Sequence, residues 1–305
     1  MATSTFEPIA SAEPIALLEK EIDTLTADGA LVTQQGPFDV FLTQAPQIPH
    51  LLAEIGRLRE ITFREVGEGT GRARDLDRFD TYYSHLFLWD REKRQIGGGY
   101  RLGRTDLILA AHGFSGLYLS TLCEVDEPLL ELLDPALECG RSWIRASYQQ
   151  SLHGLLGLWK GIGSFVAHNP RYHRLFGAVS TSDDYTRISQ SLIVKFLRKK
   201  HTRQDWRGLV HPWVPVGENE DDLPTAIDSI EAVSAEVSRG EPDGKGVPVL
   251  LRQYLKLNAT LLDFAFNPHF QNCLEALVVV DLHQAPAPLL KRYMGKEGYR
   301  IFSGG

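Results

Sequence analysis

Between Tyr83 and Thr105 two apolar runs, "YSHLFLWD" and "RQIGGGYRLGRT", flank the charged turn "DREKR". Runs of this kind joined by a few polar residues pair as an antiparallel hairpin. A hairpin commits the chain to a sheet whose apolar face other elements must cover. Further strand patterns occur at "FDVFLTQ", "GLYLSTLCEV", "ALECGRSWIR", "RLFGAVSTS" and the wholly apolar "EALVVVDL". Helical spacing fills the intervals. It runs through Ile15, Leu18, Ile22 and Leu25, then through Leu51, Leu52, Ile55, Leu58 and Ile61 to Phe63. "GLLGLWKGIGSFVAHNPRY" predicts a helix stopped at Asn169-Pro170, and "YTRISQSLIVKFLRKKH", "VLLRQYLKLNATLLDF" and "APLLKRYMGKEGYRIF" predict three more. The pattern predicts an α+β fold with helices packed on a central sheet. Residues 1–45 read as an N-terminal extension, 46–305 as one domain, and 217–248 as an acidic insertion with one short helix.

Composition narrows the class. With 43% hydrophobic and 23% charged residues the chain is ordinary globular protein. A net charge of −7 argues against a general nucleic-acid binder. Cys123, Cys139 and Cys273 form no CxxC pair, which predicts neither a disulfide framework nor a zinc site and suits a reducing compartment. No signal-peptide pattern opens the sequence, and no apolar run approaches the roughly 18 residues of a membrane span. A cytoplasmic protein, with possible peripheral contact with an anionic membrane, is the expectation.

"LECGRSWIR" then poses a problem. Glu138 and Arg141 sit three apart in an apolar strand, where they should face opposite ways. Gly140 between them would permit a bulge that brings both to one side. The alternatives are a satisfied ion pair or a working site. Asp77 and Asp80 lie three apart in "LDRFD", Arg101 follows Tyr100 in "GGYRL", and Arg59 and Phe63 share a helix face at i, i+4. Singly these read as turn caps, an edge arginine and a core-lining helix.

In chain order, "REITF", "DRFD", "HLFLWD", "GGGYRL" and "ECGR" resemble the acyl-homoserine-lactone synthases. The run is still more similar to the bacterial ornithine N-acyltransferases and N-acyl amino acid synthases, through "LYLSTLCEV", "LECGRSWI", "LLGLWKGIGSFVAHNPRYHRLFGAVSTSDDY" and the late "VLLRQYLKL", "FNPHF" and "LVVVDL". The resemblance covers roughly residues 50–295. It implies a GNAT-type acyltransferase fold with a mixed, mostly antiparallel sheet. It implies transfer of a fatty, often 3-hydroxylated, acyl group from acyl carrier protein to the α-amine of ornithine or a similar small amino acid. No bound cofactor is expected beyond the acyl-phosphopantetheine of the carrier. One departure stands out: the lactone synthases carry a Trp after the Phe, and "FREVGEGTG" has none.

On this reading Glu138 is the base that takes the amine proton, since an ammonium cannot attack a thioester. Arg141 and Arg101 would hold the acceptor carboxylate, and Asp77 and Asp80 a second amine. Arg59 and Phe63 would line the site, with Ser180, Ser182 and Tyr185 as pocket hydroxyls or helix caps. CoA users of this fold bind pyrophosphate on a Q/R-x-x-G-x-G/A loop. Here Gly161 and Gly163 are present, but Leu158 replaces the Gln or Arg. That favours a carrier-protein donor, with Lys160 as a candidate for its single phosphate. The basic stretch Lys195, Arg198, Lys199, Lys200, Arg203 and Arg207 would dock the acidic carrier or lipid headgroups, or is simply a solvated helix end.

Two rivals remain at this stage. His85 and Asp90 have the H-x-x-x-x-D spacing of glycerol-phosphate O-acyltransferases, although their "FPEG" block is absent. A non-catalytic acyl- or carrier-binding module is the other. "GEGTGR" lacks the Lys-Ser/Thr of a phosphate loop and reads as a mobile loop.

Overall fold

A computed structural model describes residues 6–217 and 227–304. In chain order the elements are α1 (Ile15–Ala27), β1 (Leu31–Gln35), β2 (Phe38–Gln44), α2 (Pro49–Glu65), β3 (Ser84–Asp90), β4 (Gln95–Arg104), α3 (Thr105–His112), β5 (Cys123–Val125), α4 (Glu127–Leu132), β6 (Leu137–Ile144), α5 (Leu152–His168), β7 (Arg174–Thr181), α6 (Arg187–Lys200), β8 (Val210–Pro212), α7 (Ile230–Gly240), α8 (Val249–Lys256), β9 (Thr260–Asn267), β10 (Cys273–Asp281) and α9 (Ala287–Phe302). Among the described residues eight strands form one sheet in the order β1-β2-β3-β4-β6-β7-β10-β9, and β5 pairs with β8 apart from it. The β3–β4 hairpin sits where the charged turn predicts it. All pairings in the large sheet are antiparallel except β6 with β7. This is the expected α+β arrangement.

Helix α5 crosses the first strands of the sheet and packs on α9. Leu158, Ile162 and Val166 point into the core, and each fully buried aliphatic side chain contributes roughly 1.5–3 kcal/mol. A Cβ on Gly161 would come within 2.8 Å of Leu86, and one on Gly163 within 2.8 Å of the Tyr293 backbone. These glycines therefore let α5 lie close to the sheet and to α9; they are not part of a phosphate loop. On the opposite face, α1 and α2 bury Leu18, Ile22, Leu51, Ile55 and Leu58.

The parallel β6–β7 pairing determines where the site lies. It lasts for two pairs, Leu137 with Leu175 and Glu138 with Phe176, and then the strands part. The strands lie close at Gly177, where a Cβ would stand 2.1 Å from the Cys139 carbonyl oxygen. Past that point the backbone groups on the facing edges lack a ladder partner across the gap.

Several expectations need correction. Residues 31–44 are no separate extension, because β1 and β2 are strands of the main sheet and α1 packs on α2. "GLYLSTLCEV" is mostly a 3-10 turn over Tyr118–Thr121, leaving only the short β5. "VLLRQYLKLNATLLDF" is helical only to Lys256; Asn258 has φ +62°, which reverses the chain into β9. The insertion does hold one helix, α7, in its described part; residues 218–226 lie outside the described residues.

Candidate active site

The bulge that Gly140 would permit is present in β6. Gly99 of β4 pairs with Trp143 and Arg101 with Gly140, so one extra residue lies on β6. Arg141, at φ +49°, takes the left-handed conformation. That geometry costs a non-glycine residue of order 1–3 kcal/mol. It turns the Arg141 side chain to the same side of the sheet as Glu138, towards α2.

There the charges interlock. Buried Arg59 donates from Nε to Asp75 Oδ2 at 2.8 Å, and from Nη1 and Nη2 to the two oxygens of Asp80 at 2.9 and 3.0 Å. Arg101 donates to Asp77 Oδ1 at 2.6 Å and lies 3.2 Å from Asp80 Oδ2. Arg141 donates to Asp77 Oδ2 at 3.4 Å, and its Nε lies 3.0 Å from Asp75. Three arginines thus meet three aspartates. Asp77 and Asp80 also cap each other's turn: Asp77 Oδ1 accepts from Phe79 N–H and Asp80 Oδ2 from Asp77 N–H. Burial pushes the Asp80 carboxyl up, but Arg59 and Arg101 outweigh it and hold it well below the usual carboxylate range. Burial disfavours the Arg141 charge, and Asp75, Tyr118 and Asp77 together more than offset it. Neither aspartate lines the cavity described below, and both already face arginines, so the expected role of holding a second amine does not fall to them. Asp75, unremarked in the sequence, is the third anion of the set.

Glu138 is held as firmly. Its Oε2 accepts from the Tyr83 hydroxyl and from Tyr118 N–H at 2.9 Å, and its Oε1 from Leu119 N–H at 2.6 Å. Burial pushes its carboxyl up while these donors pull it down. The arrangement pins the 118–119 turn and sets Tyr118 against Arg141, whose guanidinium lies 5.0 Å from the Tyr118 ring centroid and 4.9 Å from that of Phe270. A buried carboxylate held by two backbone N–H groups and a hydroxyl is a poor fit to the expected role of mobile base.

A cavity of about 570 Å³ opens at the β6–β7 gap. One wall, on the α5 side, is apolar and aromatic: Tyr100, Ile144, Leu155, Val179, Leu250 and Tyr254. The other wall, on the α2 side, carries Glu138, Arg141, Glu68, Glu275, Ser180 and the ring of Phe63, itself edge-on to Phe270. Glu68 and Glu275 were not evident from the sequence. Glu68 lies in "GEGTGR", which is not loose: Glu60 accepts from Thr70 N–H, Thr70 Oγ1 and Gly71 N–H, and Arg64 bonds the Arg72 carbonyl. The loop turns Glu68 inward, where Ser180 Oγ donates to its Oε2 at 2.8 Å. Burial pushes the Glu68 carboxyl up to about 7; Ser180 and Arg141 pull it down, and Glu275 and Asp184 push it up. Glu275 pairs with Ser180 across the β10–β7 ladder, and its Oε1 accepts from Asn267 at 3.0 Å.

Ser182 and Tyr185 also line the cavity; Ser182 donates to Asp184, and Tyr185 donates to the Gly246 carbonyl at 2.8 Å. The expected donor cations do not line it. Lys160 lies on α5 outside the lining, as do Lys195, Lys199 and Lys200 on α6, while Arg198 is tied to the carbonyls of Val216 and Gly217. Lys245 lines it instead, paired with Asp184 at 2.7 Å. His85 and Asp90 do not meet: His85 Nε2 contacts the Asp80 carbonyl at 2.8 Å, and Asp90 accepts from Tyr148 at 2.5 Å. Burial lowers the His85 ring to about 4. The H-x-x-x-x-D mechanism has no geometry to run on. No helix among the described residues is long and apolar enough to cross a membrane.

Comparison with known proteins agrees with this architecture. Residues 58–160 match the acetyltransferase (GNAT) domain family. The glycine N(alpha)-acyltransferase of Bacteroides thetaiotaomicron is 31% identical over 281 residues, covering 84% of this chain and 82% of that protein. The L-ornithine N(alpha)-acyltransferase of Brucella abortus is 26% identical over 269 residues, covering 82% and 88%. A solved CoA-dependent acyl-homoserine lactone synthase, BjaI with SAM and isopentyl-CoA, superposes with a TM-score of 0.41 at 13% identity, over 88% of this chain and all of that one. The chain belongs to the GNAT-type amino acid Nα-acyltransferases.

Proposed function

We propose that the enzyme transfers a fatty acyl group from the phosphopantetheine thioester of an acyl carrier protein to the α-amine of glycine, ornithine or a similarly small amino acid. One observation carries this reading: a single cavity at the strand gap has an apolar wall on one face of the sheet and a charged wall on the other. An acyl chain suits the first and a zwitterion the second. Arg141, the bulge residue, is the guanidinium offered to the acceptor carboxylate, with Arg101 behind it. Backbone N–H groups along the gap, beyond the last β6–β7 pair, are donors for the oxyanion that develops on the thioester carbonyl. Glu138 keeps Tyr83, the 118–119 turn and Tyr118 in place around that centre.

The donor assignment rests on local chemistry. Ser151, the N-cap of α5, lines the cavity, and its side chain accepts from His153 N–H. A helix N-terminus favours an anion, and one phosphate is what a phosphopantetheine arm brings. Exposed Leu152 and Val249 begin α5 and α8 beside the mouth, and Val66 lies at its rim. They supply apolar contact for a carrier or for a membrane surface that receives the product.

The test is a donor-by-acceptor matrix with purified enzyme: long-chain acyl carrier protein and acyl-CoA, each with glycine, ornithine and glycerol 3-phosphate, read by mass spectrometry. The expected result is N-acyl amino acid, formed faster from the carrier. Turnover from acyl-CoA alone would overturn the donor; acylation of glycerol 3-phosphate alone would overturn the acceptor.

A further inference from the structure

The charged wall holds more carboxylate than its own cations neutralise. Arg59, Arg101 and Arg141 balance the charges of Asp75, Asp77 and Asp80, although Arg141 still lines the cavity, and Lys245 pairs with Asp184 and Asp243. Glu138 is satisfied by three donors. Glu68 and Glu275 remain, both buried, with no ion pair of their own among the described residues. Buried carboxylates without a counter-charge are costly unless something supplies one. Glu68 has the freer edge: Ser180 bonds Oε2, and no hydrogen bond to Oε1 is made by any described residue.

Resting on the amino-acid acylation reading above, we propose that Glu68, held by Ser180 beside Glu275, receives the ammonium of the acceptor and takes its proton. The substrate ammonium gives one proton to the Glu68 carboxylate and becomes a free amine. The amine nitrogen bonds the thioester carbonyl carbon, the C–S bond breaks, and the leaving thiolate takes the second amine proton. Products are the amide and the carrier thiol; Glu68 returns its proton to water. Arg141 on β6, Ser180 on β7, Glu275 on β10 and Asp184 beyond β7 are the charged and polar groups around Glu68. A carboxyl titrating near 7 is suited to this exchange at neutral pH.

The experiment is the pH profile of kcat/KM for wild type, Glu68→Gln, Ser180→Ala and Glu138→Gln, with N-acyl product as the readout. Wild type is expected to gain rate as pH rises through about 7. Glu68→Gln should lose about 10²–10⁴-fold and lose that limb. Ser180→Ala should move the limb to higher pH, because a bond that favours the carboxylate is gone. Melting temperature provides a second check. The folded pKa of Glu68 lies above its unfolded value, so wild-type stability falls as pH rises from about 4.5 to about 7. Glu68→Gln should lack that fall and be the more stable protein above it. A limb that survives in Glu68→Gln at wild-type rate, or vanishes only in Glu138→Gln, overturns the assignment while leaving amino-acid acylation intact. No N-acyl product from wild type with any amino acid would instead overturn the acylation reading.

Discussion

Asp80→Asn is expected to destabilise the protein by about 3–5 kcal/mol, the usual cost of breaking one side of a buried ion pair. The fall in melting temperature should be on the order of 10 °C. The reason lies in the bookkeeping of charge. Asp80 accepts from both nitrogens of the Arg59 fork while lying 3.2 Å from Arg101, and all three side chains are buried. An amide leaves two guanidiniums facing a neutral group that also presents N–H donors. The effect should persist at high salt, since buried pairs are poorly screened. Its pH sign is also set. The folded carboxyl titrates below its unfolded value, so its contribution is present above the unfolded value and is lost only as pH falls towards the folded one. Thermal unfolding of the two proteins over a salt series measures all of this. A wild-type melting temperature in Asp80→Asn would show that the cluster is a solvated arrangement.

Glu138→Gln should damage both the fold and the turnover. Tyr83 can rotate its hydroxyl proton, but Tyr118 N–H and Leu119 N–H cannot turn away. A glutamine has one oxygen for the two backbone donors; with that oxygen on Leu119 N–H, its NH2 faces Tyr118 N–H, which keeps only the Tyr83 hydroxyl at 3.0 Å, at a cost of about 1–3 kcal/mol. The 118–119 turn then relaxes, and Tyr118 leaves the Arg141 guanidinium. Lower thermal stability together with lower kcat, and a pH profile of unchanged shape, is the expected result. A variant as stable as wild type that loses only its pH-dependent limb would restore Glu138 as the base.

The sequence allowed much of this to be read, for identifiable reasons. The three-residue spacing of Glu138 and Arg141 puts them on opposite faces of a flat strand, so bringing both to one side takes a bulge, although Arg141 rather than Gly140 adopts the positive φ. The β3–β4 hairpin and the α5 stop at Asn169-Pro170 follow from turn and helix-end chemistry. Strand β1 was illegible because "LVTQQ" is a polar edge strand with one neighbour. Helix α8 and strand β9 fused into one reading because the leucines satisfy both periods across "LKLNATLL". Glu68 left no local trace. Its inward turn depends on Glu60 gathering the backbone of residues 70–71, and its partner Ser180 lies 112 positions away. Nor did the sequence show that Arg59 and Arg101 would consume both expected aspartates.

Mass spectrometry of whole-cell lipids and acyl amino acids, from bacteria making this chain against an empty vector, tests the central claim most directly. The account predicts a new N-acyl glycine, N-acyl ornithine or close analogue in the producing cells. A soluble, folded protein that leaves these species unchanged, or raises phosphatidic acid instead, would contradict it.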